Sequence, residues 1–600
     1  MQGTIVWVDV SVGDTVRAGQ ELMLIESMKM HHAIDSPCDG TVVDVLVAAG
    51  VTVMAGAVVM TVAPGVVSHE ATADVVKGDP TDVRPDLAEV QARHAVGLDE
   101  ARPDAVARRR AVNRRTAREN VADLVDDGSF VEYGPVVVAA QRRRRSLDDL
   151  IARTPADGMI GGIGTVNGHL FEGHEARVVA VSYDYTVLAG TQGQQNHRKK
   201  DRLFELAASL RLPVVFFTEG GGGRPGDTDG VGVSGLDCWA FNFFGRLSAL
   251  VPLVGINAGY CFAGNAAVLG CCDVVIATTD SNIGMGGPAM IEGGGLGVFE
   301  PSEIGPMDVQ QANGVVDIAV ADEAEAVDVA KRYLSYFQGS LAEWGCADQR
   351  ELRGAIPDDR KRGYDVRTVI GTLFDTGTVL EVRREFGLGL VTAFARVEGH
   401  PVGVIANNPG HLAGAIDSDG ADKAARFMQL CDAFDVPIVT LVDTPGMMVG
   451  PVVEETALVR HCSRLFVTGA NVTVPMVSIV LRKSYGLGAQ AMMGGSTKAP
   501  AACVAWPTGE FGGMGLEGAV RLGYRRELDA IDDPELREQS FQQRVAQMYE
   551  RGKALNTASH FEIDDVIDPA DTRRWITVIL DSSPTPAPRA GKKRPNIDTW

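Results

Sequence analysis

The chain has little that would take it outside the class of ordinary reduced globular proteins. Its nine cysteines are an odd, scattered set with no Cys-x-x-Cys pair, the nearest two being Cys271 and Cys272. Such a set reads as free thiols of a cytosolic protein and suggests no zinc site. Positive charge is scarce: 56 Lys and Arg against 78 Asp and Glu leave a net charge of −22. That balance argues against a general nucleic-acid binder but leaves room for local basic patches facing phosphate-bearing ligands. The longest uncharged stretch, 247–272, is broken by Pro252, Asn257, Asn265 and several glycines, and reads as buried core rather than a membrane span. Residues 1–7 hold no basic segment leading into an apolar one, so no signal peptide is expected and the cytoplasm is the expected location.

With 45% apolar and 22% charged residues the chain is not a disordered one. Six hundred residues at about 150 per domain point to a multi-domain protein. Glycine is what it has in excess, 69 of 600 against a usual ~7%, and glycine marks tight turns and close backbone approach.

Two internal repeats organise these glycines. In the first 64 residues Gly3, Val6, Gly13, Val16 and Gly19 recur as Gly40, Val43, Gly50, Val53 and Gly56, each 37 positions on. Short β-branched runs broken by glycine turns predict a small all-β sandwich of two similar halves. The halves meet around Glu26-Ser27-Met28-Lys29-Met30. Residues 65–95, which include Gly78, Pro80 and Pro85, read as a linker. The arginine-rich stretch 102–118 reads as a helical packing or solvated face.

The body repeats as well. Lys199, Arg202, Leu206, Pro213, Val215, Phe217 and Glu219 stand opposite Lys423, Arg426, Leu430, Pro437, Val439, Leu441 and Asp443, an offset of 224. Each copy leads from a helical period through proline into a five-residue apolar run, the pattern of a strand covered on both faces. Residues 252–266 likewise match 475–489. The expected fold is α/β, two similar halves over 96–345 and 346–581, preceded by the all-β domain 1–64 and followed by a proline-containing tail, 582–600, expected to be disordered.

A lysine between two methionines at the tip joining two symmetric halves is an unusual constellation. On these residues the segment 1–64 resembles the biotinyl carrier domain of biotin-dependent carboxylases. The resemblance implies that the Lys29 ε-amine is amide-linked to biotin, a long arm carrying an activated carboxyl group between sites. A lipoyl domain shares the fold but typically lacks the methionine pair.

The body resembles the carboxyltransferase component of acyl-CoA carboxylases. The matching segments are Asp184-Tyr185-Thr186-Val187-Leu188, the glycine cluster 220–224, Gly259-Tyr260-Cys261-Phe262-Ala263-Gly264, Asp422-Lys423-Ala424-Ala425-Arg426-Phe427, Asp443-Thr444-Pro445-Gly446, Arg482-Lys483-Ser484-Tyr485-Gly486, Ala505-Trp506-Pro507 and Asp568-Pro569-Ala570-Asp571-Thr572-Arg573. The resemblance implies crotonase-like halves and active sites shared between the N-half of one subunit and the C-half of another, hence an oligomer, a hexamer by the family pattern. The implied activity is carboxyl transfer from carboxybiotin to the α-carbon of an acyl-CoA such as acetyl-CoA or propionyl-CoA, through an enolate.

An enolate needs donors already aimed at it in a dry site, and losing one such donor typically costs about 2.7–4 kcal/mol. By resemblance the main-chain amides of Ala263 and Gly264 form one pair and those of Leu487 and Gly488 the other, one for the thioester and one for the biotin ureido oxygen. Ala263 and Leu487 stand where relatives commonly have glycine and Asn265 where they have a small residue, and the donors survive such changes only at negative φ. Gly221 and Gly222 are the expected substrate-contacting glycines. Lys200, Arg224 and Lys423 are candidates for coenzyme A phosphates, with surface charge pairing as the alternative. Gln490 falls where the family tunes acyl-chain choice. No side-chain base stands out: His197, His411 and His461 read as ordinary hydrogen-bonded residues, and the family chemistry gives the α-proton to biotin itself.

No ATP-grasping domain is recognisable, so ATP and bicarbonate are expected to be used by a separate biotin carboxylase partner, and a biotin protein ligase is expected to modify Lys29. No metal, nucleic acid or membrane segment is expected. Two other readings remain: a decarboxylase or transcarboxylase component running related chemistry, and a biotinylated, non-catalytic scaffold.

Overall fold

The computed structural model describes residues 2–67, 81–230, 234–587 and 589–600. These form two compact units, residues 1–88 and 89–600.

The small unit is a sandwich of β1 (Gly3–Val8), β2 (Thr15–Val16), β3 (Glu21–Ser27), β4 (Met30–Asp35), β5 (Gly40–Val45), β6 (Thr52–Val53) and β7 (Met60–Pro64). One sheet runs β4-β3-β1-β6 and the other β2-β5-β7. Each repeat therefore lends a short strand to the other's sheet: β6 pairs with β1, and β2 with β5. The 37-residue period has a steric cause. A side chain at Gly3 would lie 2.2 Å from the Glu26 carbonyl, and one at Gly40 the same distance from the Ala63 carbonyl. Ile5, Met23, Ile25 and Val53 fill one end of the core and Val10, Val16, Leu22 and Val42 the other.

The large unit holds two sheets of matching design. In the N-half the order runs from Ile318–Val320 through Val274–Thr278, Leu253–Asn257, Val214–Phe217, Arg177–Tyr183 and Met159–Thr165 to Val131–Glu132. Met159–Thr165 and Arg177–Tyr183 are antiparallel, and the strands beyond them on the Val214–Phe217 side are parallel. The C-half repeats this with Leu390–Val397 antiparallel to His400–Asn407, followed by parallel Ile438–Thr444, Met476–Tyr485 and Ala502–Ala505. Helices Gln194–Leu210 and Ser418–Ala433 occupy equivalent places. One apolar cluster joins the halves: Tyr333 and Leu334 of helix Glu323–Gln338 belong to the same core as Phe394, Phe427 and Met428.

Two boundary expectations change. The linker read at 65–95 contains the helix Pro85–Ala95, and residues 68–80 of it lie outside the described residues. The tail read as disordered is docked. Ile597 is buried and exchanges hydrogen bonds with Ser248, its N–H donating to Oγ at 3.0 Å. The Asp598 carboxylate is held by Gln429 and Arg464, and the Trp600 ring packs edge-on against Phe386. Composition suggested disorder because proline and lysine disfavour a local element, whereas the partners of this segment come from distant parts of both halves. The arginine stretch is a packing face, as expected: Arg109 makes a bidentate pair with Glu219 at 3.0 and 2.7 Å, and Arg102 pairs with Asp184 at 2.8 Å.

Candidate functional site

In the small unit Ser27 pairs with Met30, leaving Met28 and Lys29 as a two-residue hairpin loop. Both take left-handed backbone, with φ of 51° and 64°. This is the primed turn that suits a twisted hairpin, but it normally carries asparagine and glycine, and L side chains there cost about 1–2 kcal/mol each. Met28 is 96% exposed and packs on nothing that would offset that cost. Strain of this kind concentrates at functional sites. The turn presents Lys29 outward at the tip, so the residues present fit a group carried on its amine.

In the C-half, strand Met476–Tyr485 runs into helix Gly486–Met492. The first N–H groups of a helix have no carbonyl within the helix to reach, and here they belong to Gly486, Leu487, Gly488 and Ala489. Gly486 takes φ of 55°, while Leu487 does not enter the positive-φ region, so the donor expected at Leu487 keeps the backbone it requires. Gly488 is obligatory: a Cβ there would lie 2.6 Å from the Gly446 carbonyl carbon and 2.7 Å from its Cα. Thus Asp443-Thr444-Pro445-Gly446 is the surface on which the turn rests. Asp443 in turn accepts from the Tyr364 hydroxyl at 2.8 Å and Arg482 Nε at 3.1 Å, and pairs with Lys483 Nζ at 3.0 Å. Two of the sequence segments are knitted into one by that carboxylate. The turn opens into a cleft of about 640 Å³ lined by Leu487, Gln490, Met493, Phe511, Met514 and Leu516.

The N-half turn is built differently. Ala263 has φ of 53° and ψ of −122°, and its N–H donates to the Gly284 carbonyl at 3.1 Å. The expected donor at Ala263 is therefore already engaged, and its positive φ is the opposite of what that donor required. Gly264 begins helix Gly264–Gly270 and supplies the first donor at this turn. Gly221 donates to the Ala189 carbonyl at 3.1 Å, and Gly222, at φ of 89°, to Asn265 Oδ1 at 3.1 Å. Both glycines shape the floor of the turn with their amides engaged inside the protein, rather than offering them to substrate.

The three cations expected on phosphates are buried. Lys200 Nζ donates to Tyr183 Oη at 3.0 Å and Gln192 Oε1 at 2.8 Å. Arg224 pairs with buried Asp157 at 2.5 Å. Lys423 donates to the carbonyls of Phe386 and Leu390 at 2.8 and 2.7 Å. Its repeat mate Lys199 likewise caps carbonyls, those of Ala156 and Met159. Burial pushes Lys423 down to about 7 and Lys199 to about 8. The repeated lysine thus supports the fold in both halves and does not reach a phosphate. His197 and His461 are hydrogen-bonded, to Cys238 at 3.1 Å and Asp422 at 2.6 Å. Burial, with Lys200 and Arg224 nearby, pushes His197 down to about 3.

A pair of turns escaped the sequence reading. Leu188–Gly190 and Leu412–Gly414 share the sequence Leu-Ala-Gly, and all six residues have positive φ. Gly190 packs against the Glu219 carbonyl and Gly414 against the Asp443 carbonyl. Identical tripeptides at the same 224-residue offset were the available signal.

Residues 108–596 match the carboxyl transferase domain family. The chain belongs to that family. Residues 1–62 match the biotin-requiring enzyme family, so this carboxyltransferase carries its own biotin domain. Among curated relatives, the methylmalonyl-CoA carboxyltransferase 12S subunit of Propionibacterium freudenreichii subsp. shermanii is 34% identical, covering 82% of this chain and 93% of that one. The biotin-dependent long chain acyl-coenzyme A carboxylase beta4 subunit of Mycobacterium tuberculosis is 33% identical, covering 81% and 92%. Among solved structures, a single-chain, multi-domain long-chain acyl-CoA carboxylase superposes with a TM-score of 0.80 at 54% identity over 96% of this chain. This carboxyltransferase spans 55% of the length of that protein. The transcarboxylase 12S structure, a hexamer with methylmalonyl-CoA bound, superposes with a TM-score of 0.72 at 32% identity, covering 84% of this chain and 96% of that one. No helix among the described residues is long and apolar enough to cross a membrane.

Proposed function

We propose that this carboxyltransferase moves a carboxyl group from biotin on Lys29 to the α-carbon of a long-chain acyl-CoA. The observation that carries the reading is the pair of helix-start turns, one per half, each with a closely packed glycine in its first turn. A Cβ on Gly488 would strike Gly446, and one on Gly264 would come 2.9 Å from Gln192 Nε2. Bound biotin would supply an activated carboxyl group on its ureido ring. The chain itself holds developing negative charge: amides at the Gly264 turn serve one oxyanion and amides of Leu487 and Gly488 the other. These donors are fixed before reaction by buried neighbours and need no reorganisation. Gln490, exposed at the mouth of the C-half cleft, contacts the ligand that enters there.

The long-chain assignment, in place of acetyl-CoA or propionyl-CoA, is supported by the 54% identity to a long-chain acyl-CoA carboxylase and by the mycobacterial relative. A biotin carboxylase partner using ATP and bicarbonate, a biotin protein ligase, a homo-oligomer and a cytoplasmic location complete the proposal. The test is labelled-bicarbonate incorporation with ATP and a biotin carboxylase across acyl-CoAs of two to twenty carbons. Long chains are expected to be preferred at least tenfold in kcat/KM, and Lys29→Arg to abolish incorporation. Preference for two or three carbons would overturn the substrate class, and activity surviving in Lys29→Arg the carrier role.

A further inference from the structure

Lys200 is fully buried, and the partners its Nζ donates to are the neutral Tyr183 hydroxyl and the neutral Gln192 amide. It also lies 5.3 Å from the centre of the Tyr183 ring. An ammonium held only by neutral partners is costly in such a place, because neither partner is a carboxylate that would offset its lost hydration. Its hydrogen bonds lead to the N-half turn. Gln192 Nε2 donates to Asn265 Oδ1 at 3.1 Å, and the same oxygen accepts the Gly222 N–H at 3.1 Å. Asn265 Nδ2 donates to the carbonyls of Gly190 and Thr218 at 3.2 and 3.1 Å. Asn265 is the second residue of helix Gly264–Gly270, and the Gln192 amide lies directly against Gly264. The chain from Nζ to Gln192 to Asn265 therefore ties together Gly190, Gly222 and the helix start. Its dipoles point one way: an ammonium donating to Gln192 Oε1 strengthens that amide as a donor toward Asn265.

We propose that Lys200 is a positioning residue for carboxyl transfer, its ammonium form holding Gln192 and Asn265 in register and adding positive potential behind the Gly264 amide. The inference rests on the assignment of the N-half turn as an oxyanion site. Burial pushes Lys200 down to about 7, with Cys238, Asp201 and Asp157 pulling the other way. The titratable and charged groups around it are His197, Lys199 and Asp201 on its own helix, Tyr183 on the adjacent strand, Cys238 ahead of helix Ala240–Leu247, and the Asp157–Arg224 pair. His197 is held neutral at about 3, and Tyr183 is pushed far above its ordinary value by burial. Lys199 faces the Ala156 and Met159 carbonyls instead.

The test compares the biotinylated full chain with Lys200→Arg, Lys200→Met and Gln192→Leu, measuring single-turnover carboxyl transfer between pH 5.5 and 9. Wild type is expected to lose activity with a midpoint near 7 as Lys200 gives up its proton. Lys200→Arg keeps the charge and should stay active to pH 9. Lys200→Met and Gln192→Leu should be tenfold or more slower at pH 6, without that midpoint and with KM for acyl-CoA within about twofold. The thermal midpoint supplies a readout independent of the reaction. A buried lysine whose folded value lies below its unfolded one stabilises progressively as pH rises between the two. Wild type should therefore gain on Lys200→Met from pH 7 to 9. That gain together with superimposable activity profiles would overturn the positioning role and leave the N-half site standing. Unimpaired transfer by Gly264→Pro, which removes the amide N–H at the first helical position, would instead overturn the N-half site itself. If Lys200→Met does not fold, Gln192→Leu decides: a retained midpoint and rate refute the proposal.

Discussion

Replacing Gly488 by alanine separates oxyanion stabilisation from mere packing. The new Cβ would sit 2.6, 2.7 and 2.9 Å from the carbonyl carbon, Cα and oxygen of Gly446. These are backbone atoms anchored by Thr444, whose hydroxyl accepts the Gly446 N–H at 3.1 Å, so they cannot swing aside as a side-chain tip would. Ordinary contact begins near 3.4 Å, so the start of helix Gly486–Met492 must retreat by roughly 1 Å. A displacement of that size costs about 10²-fold in rate, and full loss of one donor 10²–10³-fold. Overpacking itself destabilises by about 1–3 kcal/mol, which leaves the protein folded at 25 °C. The matched control is Gly513→Ala in the same cleft, where no atom lies within 4 Å of the added methyl. Single-turnover transfer at saturating acyl-CoA should fall about 10²-fold in Gly488→Ala and less than twofold in Gly513→Ala, with thermal midpoints recorded for both. A Gly488→Ala protein that is folded, displaced at the turn and still within threefold of wild type would refute the role of these amides.

Other outcomes follow from the same geometry. Ile597→Ala should destabilise the large unit by about 2–5 kcal/mol, because Ile597 is buried between Ser248 and the C-half. An unchanged thermal midpoint would show that the tail is not docked. Arg109→Ala should cost about 3 kcal/mol by stranding the largely enclosed Glu219 carboxylate, and Arg109→Ala/Glu219→Gln should recover part of it. Failure of the double variant to recover would mean the pair contributes nothing. Met28→Gly should slow amide exchange in the β3–β4 hairpin, relieving about 1–2 kcal/mol of left-handed strain, and unchanged exchange would remove strain from the account of the tip.

The repeat of the small unit was legible in the sequence because it is a steric requirement felt at one residue. Gly3 and Gly40 must be glycine since the carbonyls of Glu26 and Ala63 lie 2.2 Å from where a Cβ would be, and that demand leaves a mark at a fixed spacing. Gly488 carries a demand of the same kind against Gly446, so the two-fold architecture and the glycine turns could be found from residue order. The roles of the lysines could not. Helical spacing places Lys199, Lys200 and Lys423 on helices but does not reveal that helix Ser418–Ala433 is buried on nearly every side. Nor does it reveal that the carbonyls receiving Lys423 lie 33 and 37 residues earlier. Ala263 had the composition of a donor turn, and only the approach of Gly284 engaged its amide. The tail showed the same division, since its proline content was local while the partner of Ile597 lies 349 residues away. What a residue demands of its immediate backbone is written beside it, whereas which group meets its side chain or its N–H depends on segments brought together only by the fold.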